Sequence, residues 1–145
     1  MASFAQESTR YCNYANEDFG SEITFIKPFF LEEGTEGWFA WKTAMQTAEG
    51  CYFDLIDCGC TPQEARAVLP NSLKTEVVMT CNLREWRHFF KLRAAGTTGA
   101  PHPQMLQLTV PLLIEMKNLL PVVFDDIQVH DNGKNITLRK GEPSI

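Results

Sequence analysis

The segment Asn82-Leu-Arg-Glu-Trp-Arg-His-Phe-Phe-Lys-Leu-Arg93 is the most informative part of this chain, because it combines apolar and cationic side chains at helical spacing. At about 100° per residue, a helix over these residues has two separate faces. The apolar face consists of Leu83, Trp86, Phe89 and Phe90. The charged face consists of Arg84, Arg87, His88 and Lys91. The segment therefore predicts an amphipathic helix whose cations require an anionic partner.

Arg93 falls within the apolar face of this predicted helix, and Asn82 projects the same way. An arginine keeps its proton and is almost never fully buried unpaired. An inward Arg93 would therefore meet a carboxylate, a phosphate or an electron-rich ring oxygen. The alternative is that the helix ends near Leu92, so that Arg93 only places its charge beside the last carbonyl groups. The segment alone leaves both interpretations open.

Composition limits the classes of protein that fit. The chain has 145 residues, of which 44% are hydrophobic, so it is long enough for one domain with a core. A net charge of −5 argues against a non-specific nucleic-acid binder, but it allows a small anionic ligand in a local basic pocket. The sequence contains no apolar run of about 18 residues, so no membrane span or membrane partner is predicted. It also shows no signal peptide.

Neither the cysteines nor the known catalytic motifs indicate a metal site or a protein nucleophile in this chain. The five cysteines form an odd set without a Cys-x-x-Cys pair or zinc-ligand spacing, which predicts reduced thiols in a cytoplasmic protein and no metal site. No serine nucleophile elbow, phosphate-binding Walker loop or dinucleotide-binding glycine motif occurs. If the chain belongs to an enzyme, its difficult chemistry is expected to come from a bound cofactor.

The remaining segments predict an α+β fold with several helices packed on a small sheet. Helical patterns are present at Trp38–Cys58, after Thr61-Pro-Gln-Glu64, and from Pro103 to Leu120. Extended or hairpin structure is predicted at Ile23–Lys27, at Leu73–Thr80, and around Asp131-Asn-Gly133.

Two further groups of residues suit an anion, although each also fits an ordinary surface. Ser8-Thr-Arg-Tyr11 offers two hydroxyls and a guanidinium within four residues, which is a suitable set for a phosphate. Arg66 follows a capped helical turn, where a solvated or salt-bridged arginine is the usual outcome. His88 lies one turn after Arg84, so the two could hold one ligand together or simply be exposed.

Three motifs together resemble the flavin-dependent thymidylate synthases in order and approximate spacing. They are Ser8-Thr-Arg-Tyr11, Arg66-Ala-Val-Leu-Pro70 and the Asn82–Arg93 segment. The resemblance predicts a family-like α+β domain over residues 1–127, followed by a tail at 128–145 that forms a weak hairpin or is disordered. The family signature is Arg-His-Arg, then seven residues and a serine. Ser8 matches that serine, so the triplet would end directly before Met1.

The resemblance therefore implies the C-terminal portion of such an enzyme. Either the start codon has been assigned late, or a separate gene encodes the N-terminal piece. In the family the reaction is the reductive methylation of deoxyuridine monophosphate (dUMP) to dTMP, in sites built between the subunits of a homotetramer. The alternative is a non-catalytic remnant that retains nucleotide binding or an oligomerisation surface.

The resemblance also implies a substrate site. The matched substrate-binding residues are Gln6, Ser8, Thr9, Arg10, Arg66 and Arg93. Ser8 and Arg10 match residues that hold the dUMP phosphate, and Arg66 matches a nucleotide-binding arginine contributed across a subunit boundary. Arg93 matches the catalytic arginine, which favours ionisation of the uracil at N3 and needs no protein nucleophile.

A cofactor site is implied as well. The matched cofactor-binding residues are Gln6, Asn82, Arg84 and His88, and relatives often have Glu at the position of Gln6. In the family, reduced FAD provides a hydride, methylenetetrahydrofolate provides the carbon, and NADPH regenerates the reduced flavin. Two features depart from the family pattern on the folate side. The Gly96-Thr-Thr-Gly99 connection is longer than usual, and Leu106 stands where relatives often have arginine.

Overall fold

The computed structural model describes residues 2–9, 12, 14, 22–133 and 135–139. The chain divides into two compact units. The first unit is Phe4–Val78, and the second unit is Met79–Ile145 together with Met1–Ser3. Among the described residues, no helix has both the length and the apolar character needed to cross a bilayer.

The described residues contain both helices and short strands, and the strands form small sheets, which confirms the predicted α+β class. The helices are α1 (Glu36–Asp57), α2 (Pro62–Ala65), α3 (Leu83–Arg93) and α4 (Pro103–Leu119). The strands are β1 (Ala2–Gln6), β2 (Val77–Cys81), β3 (Ile127–His130) and β4 (Asn135–Leu138). They form two two-stranded sheets, in which β1 pairs with β2 and β3 pairs with β4.

Helix α1 contributes Tyr52 and several flanking apolar side chains to the core of the first unit. It begins two residues earlier than the predicted Trp38, because the hydroxyl of Thr35 accepts a hydrogen bond from the Trp38 N–H at 3.3 Å and caps the helix. Tyr52 on this helix is fully buried and packs in one cluster with Ile23 and Ala65. The long helix predicted from the sequence is therefore confirmed.

Helix α2 is short, and its capping determines where the next residue, Arg66, lies. The backbone N–H and the hydroxyl of Thr61 both donate hydrogen bonds to the Glu64 carboxylate, at 2.8 and 2.6 Å. Ala65 is completely buried, whereas Arg66, the next residue, is exposed. The capped turn therefore anchors its own C-terminal end in the core and directs Arg66 toward solvent.

The segment Leu69–Leu73 follows this turn and is held by two neighbouring elements. The Ile26 N–H donates to the Ser72 carbonyl at 2.7 Å, and Phe25 and Leu73 form an isolated antiparallel bridge. The Trp41 indole N–H donates to the Ser72 hydroxyl at 3.1 Å. The extended structure predicted near Ile23–Lys27 is thus limited to a single bridge, and this bridge fixes Leu69–Leu73.

Aromatic packing between α3, α4 and the chain beyond them forms the core of the second unit. Phe90, Leu113, Phe124 and Ile127 are fully buried. The Phe90 ring stacks on Trp86 and meets Phe124 edge-on, with centroids 5.7 Å apart in both pairs. The predicted amphipathic helix is therefore confirmed, with Phe90 near the centre of its buried face.

A partly buried ion pair joins α3 to the chain just before β3. The Arg87 guanidinium donates to both carboxylate oxygens of Asp126, at 2.8 and 2.7 Å, and the Lys91 ammonium lies 3.7 Å from the same carboxylate. Burial raises the pKa of Asp126, but the hydrogen bonds and charge of Arg87, with the charge of Lys91, outweigh it and hold the pKa below its usual range. Two cations of the charged face thus find their anion inside the chain.

The β3–β4 hairpin closes the same core, and its turn lies where the Asp131-Asn-Gly133 signal predicted it. Ile127 pairs with Leu138 and Val129 pairs with Ile136. Gly133 has φ +92, and a Cβ added there would lie 2.5 Å from the Val110 side chain on α4. The hairpin turn therefore packs against α4 so closely that only glycine fits.

We expect Asp126→Asn to lower the free energy of unfolding by about 2 kcal/mol at pH 7, because it removes the charge that Arg87 and Lys91 share. The folded-state pKa of Asp126 is depressed, so the stabilisation is present above the ordinary aspartate pKa of about 4 and is lost as pH falls through the folded-state pKa. Urea unfolding of both proteins at pH 7 and pH 3 measures the difference. Asp125→Asn is the matched control, because that side chain is 52% exposed and should change stability little at either pH. An equal loss at the two pH values would contradict the ion-pair account.

We expect Gly133→Ala to destabilise the chain more than Gly34→Ala. Both glycines have positive φ, so an alanine costs about 1–2 kcal/mol of backbone strain at either position. Only Gly133 adds a clash, since no atom lies within 4 Å of a Cβ built at Gly34. In the Val110→Ala background the extra cost at Gly133 should disappear. Equal midpoints of thermal unfolding for the two single variants would contradict close packing of the turn on α4.

Candidate functional site

A cavity of about 410 Å³ lies in the first unit, and several residues of the predicted nucleotide site line it. Its lining consists of Gln6, Glu7, Ser8, Thr9, Arg66, Leu69, Pro70, Asn71, Leu73 and Thr75. The volume is within the range typical of small-molecule sites, and the walls combine a few polar groups with aliphatic side chains. A ligand the size of a nucleotide is therefore compatible with this cavity.

One hydrogen bond joins the two distant motifs at this cavity. The Arg66 guanidinium donates to the Thr9 hydroxyl at 3.0 Å across 57 positions of sequence. Among the described residues, Arg66 has no carboxylate partner, unlike Arg87. Its charge is therefore available to an anionic ligand, and Thr9 fixes the direction from which Arg66 approaches.

Hydrogen bonds with the two residues just before β2 hold the backbone next to Ser8. The Glu7 N–H donates to the Glu76 carbonyl at 2.8 Å, and the Thr75 hydroxyl donates to the Glu7 carbonyl at 3.0 Å. These two bonds fix Glu7 on both sides of its Cα. The residues that follow it therefore enter the cavity from a rigid strand end.

The titratable groups behind this wall are not activated as nucleophiles. Burial raises the pKa of the Cys12 thiol, and the nearby Glu7 carboxylate, 3.7 Å from the sulfur, raises it further. Burial, together with the charges of Cys12 and Glu7, raises the pKa of Tyr14 to about 12. Both groups therefore stay protonated at neutral pH.

Three of the four predicted flavin contacts, Asn82, Arg84 and His88, lie in the second unit, at the start and in the first half of α3, whereas Gln6 lies in the first unit. The Asn82 side chain accepts the Glu85 N–H at 2.9 Å and caps the helix. Arg84 and His88 are both exposed and one turn apart, whereas Arg87 and Lys91 point to Asp126. An exposed guanidinium and an imidazole at a helix N-terminal half fit the diphosphate of a dinucleotide such as FAD.

Arg93 does not project into the core, so the structure excludes the inward interpretation, one of the two that the sequence left open. It is the last residue of α3, its side chain is exposed, and its carbonyl oxygen lies 2.8 Å from the Thr109 hydroxyl. The buried face is centred on Phe90 and Ala94 rather than on Trp86. Arg93 lies about 60° from Phe90 and about 100° from Ala94 around the helix, at the edge of that face. The helix-terminal cation is the alternative that the structure shows.

The connection after α3 forms a compact turn. The N–H and the hydroxyl of Thr97 both donate to the Lys91 carbonyl at 3.1 Å. Gly96 has φ +65, and a Cβ there would lie 3.0 Å from the Gly99 carbonyl oxygen. The Gly96–Gly99 connection therefore folds back against the last turn of α3.

The remaining predicted residues are only partly accounted for. Gln6 and Ser8 line the cavity with Arg66, whereas Arg10 lies outside the described residues. Three polar lining residues were not predicted, namely Glu7, Asn71 and Thr75. Glu7 and Asn71 adjoin the matched motifs and could have been included on that ground. Thr75 reaches the cavity through tertiary pairing and has no local signal.

Comparison with known proteins identifies relatives that match most of this chain. A chain named flavin-dependent thymidylate synthase from Pyrococcus horikoshii is 39% identical over 123 residues, covering 85% of this chain and 50% of the relative. A protein of the same name from Geobacter sulfurreducens is 30% identical over 126 residues, covering 87% of this chain and 51% of the relative. The chain therefore spans about half the length of these curated relatives.

A solved structure shares the fold. The UMP/dUMP methylase PolB from Streptomyces cacaoi, bound with 5-Br dUMP, superposes with a TM-score of 0.66 at 26% identity, covering 86% of this chain and 61% of that chain. The sequence profile of the family described as thymidylate synthase complementing protein matches residues 1–122. Since this match includes both motifs of the cavity and the whole of α3, the chain belongs to the thymidylate synthase complementing protein family.

Proposed function

We propose that this chain acts in the flavin-dependent methylation of dUMP to dTMP. The observation that carries the proposal is the cavity in which Ser8, Thr9 and Arg66 come together. Relatives named flavin-dependent thymidylate synthase and the dUMP-analogue complex of PolB support the same reaction. In this proposal the first unit binds the nucleotide and the second unit binds the cofactor.

The first unit binds the nucleotide phosphate. The Arg66 guanidinium offers a planar set of donors, and the hydroxyls of Ser8 and Thr9 line the same cavity. Arg10 adds a second guanidinium in this proposal, following the family match. The apolar side chains of Leu69 and Leu73 cover part of the ligand and exclude water, which strengthens each charge-assisted hydrogen bond.

Arg93 is the catalytic residue of the proposal. A guanidinium close to the uracil stabilises the negative charge that develops at N3, and it needs no proton transfer of its own. Its exposure in this chain leaves it available to a substrate held partly by another subunit. Exclusion of water by that subunit would raise the effect of the charge, because Coulomb interactions are stronger in a medium of low dielectric constant.

The second unit would hold the cofactor through Asn82, Arg84 and His88, and the family match assigns cofactor binding to Gln6 of β1 as well. When bound, reduced FAD supplies the hydride for the reaction. Arg84 would orient it by neutralising its diphosphate, and His88 would add a hydrogen bond. NADPH as reductant and methylenetetrahydrofolate as carbon donor complete the proposed reaction.

A homotetramer is the proposed assembly. Leu108, Leu119 and Val122 in the second unit are 71%, 68% and 87% exposed, which supports a surface that another subunit covers. The cytoplasmic location stays a prediction from the cysteine content of the sequence.

Arg66→Ala should weaken dUMP binding by about 10- to 100-fold, the usual effect of losing a hydrogen bond between charged groups. Isothermal titration calorimetry measures the affinity. Deoxyuridine, which lacks the phosphate, should bind both proteins equally weakly. Arg139→Ala, a 56% exposed arginine in the second unit, is the matched control and should bind dUMP normally. A wild-type affinity in Arg66→Ala would remove Arg66 from the phosphate site.

Arg93→Ala should leave flavin bound and lower turnover by about 10²- to 10³-fold, as expected when one electrostatic stabiliser of the reacting group is lost. The assay is tritium release from dUMP labelled at C5, with flavin content followed by absorbance. The chain is assayed with and without a matching N-terminal piece. Binding of dUMP without turnover in every wild-type preparation would support the non-catalytic alternative, and unchanged turnover in Arg93→Ala would exclude its catalytic role.

A further inference from the structure

The cavity of the first unit contains two opposite charges that do not pair with each other. Arg66 donates to Thr9, whereas the contact made by the Glu7 carboxylate is with the Cys12 thiol at 3.7 Å. Among the described residues, neither charged group makes a direct ion pair, although both line the same 410 Å³ cavity, and Lys74 acts on Glu7 only as a more distant charge. A ligand that occupies this cavity therefore encounters a donor set at one position and an anionic acceptor at another.

A carboxylate cannot serve the phosphate. When ionised it is an acceptor only, and like charges repel at close range. Glu7 instead requires a hydroxyl or an N–H from the ligand. In dUMP the 3′-hydroxyl is carried by the same sugar as the phosphate, so it enters the cavity together with the group that Arg66 binds.

The contact that Glu7 makes within the chain is weak enough to be replaced. A thiol is a poor hydrogen-bond donor, and the raised pKa of Cys12 keeps it in the protonated form. The Glu7 backbone is fixed by Glu76 and Thr75. The carboxylate is therefore presented from a rigid position and costs little to redirect toward a ligand hydroxyl.

We propose that Glu7 is a specificity-determining residue that accepts a hydrogen bond from the 3′-hydroxyl of a pyrimidine nucleoside monophosphate. The inference rests on the proposed function, because it takes dUMP as the ligand of this cavity. It assigns recognition of the sugar to Glu7 and recognition of the phosphate to Arg66, Ser8 and Thr9.

The test compares dUMP with 2′,3′-dideoxyuridine monophosphate, which lacks only the 3′-hydroxyl. Calorimetry gives the affinity of each nucleotide for the wild type and for Glu7→Gln. The wild type should prefer dUMP by about 10-fold or more, since a hydrogen bond to a charged group has that effect. In Glu7→Gln the preference should shrink to about 2-fold, because a neutral amide accepts a weaker bond. The dideoxy nucleotide should bind Glu7→Gln at least as tightly as it binds the wild type, since a negative charge near its phosphate has gone.

Glu76→Gln is the matched control. Glu76 is exposed, pairs with Lys74 and does not line the cavity, so the same chemical change there should leave the preference intact. Binding of the dideoxy nucleotide by Glu7→Gln also shows that the variant is folded, which separates a lost contact from a lost structure.

Each outcome distinguishes the inference from the function on which it rests. A full preference for dUMP in Glu7→Gln, or equal binding of the two nucleotides by the wild type, would overturn the role of Glu7 and leave the proposed function standing. Absence of binding of either nucleotide by the wild type would overturn both. A preference that is lost in Glu7→Gln and kept in Glu76→Gln supports the proposal.

Discussion

The double hydrogen bond between Arg87 and Asp126 determines how the second unit uses its charges. An unpaired guanidinium at this partly buried position on α3 would be unfavourable, so packing of the helix there requires a carboxylate. Asp126 meets this requirement from the residue before Ile127, which is itself fully buried. The same pair therefore brings the β3–β4 hairpin onto the aromatic core and leaves Arg84 and His88 on the exposed side of the helix.

The site proposed in the first unit differs, because it requires a cation whose charge is not neutralised by a carboxylate of the chain. The capped turn at Thr61 buries Ala65 and leaves Arg66 exposed, where a hydroxyl rather than a carboxylate holds it. A hydroxyl orients the guanidinium without cancelling its charge. The contrast between Arg66 and Arg87 separates an arginine available to a ligand from one that stabilises the fold, and it depends on which partner the fold supplies.

The sequence predicted the elements well where the determining interactions are local. The long helix α1 and the Thr61 capping box depend on contacts within a few residues, and both are present. The sequence left the direction of Arg93 open because helical periodicity gives the width of an apolar face but not its centre. That centre was set by which side chains α4 and Phe124 cover, and the coverage falls on Phe90 and Ala94.

The sequence by itself determined the α+β class and the family motifs, since these depend on short-range pattern and spacing. Only the tertiary structure decided which cations are paired within the chain, that Glu7 shares a cavity with Arg66, and that the turn at Gly133 packs on α4. The physical reason is that charge pairing and cavity lining join residues tens of positions apart. Their energies depend on distance and desolvation, which no local pattern specifies.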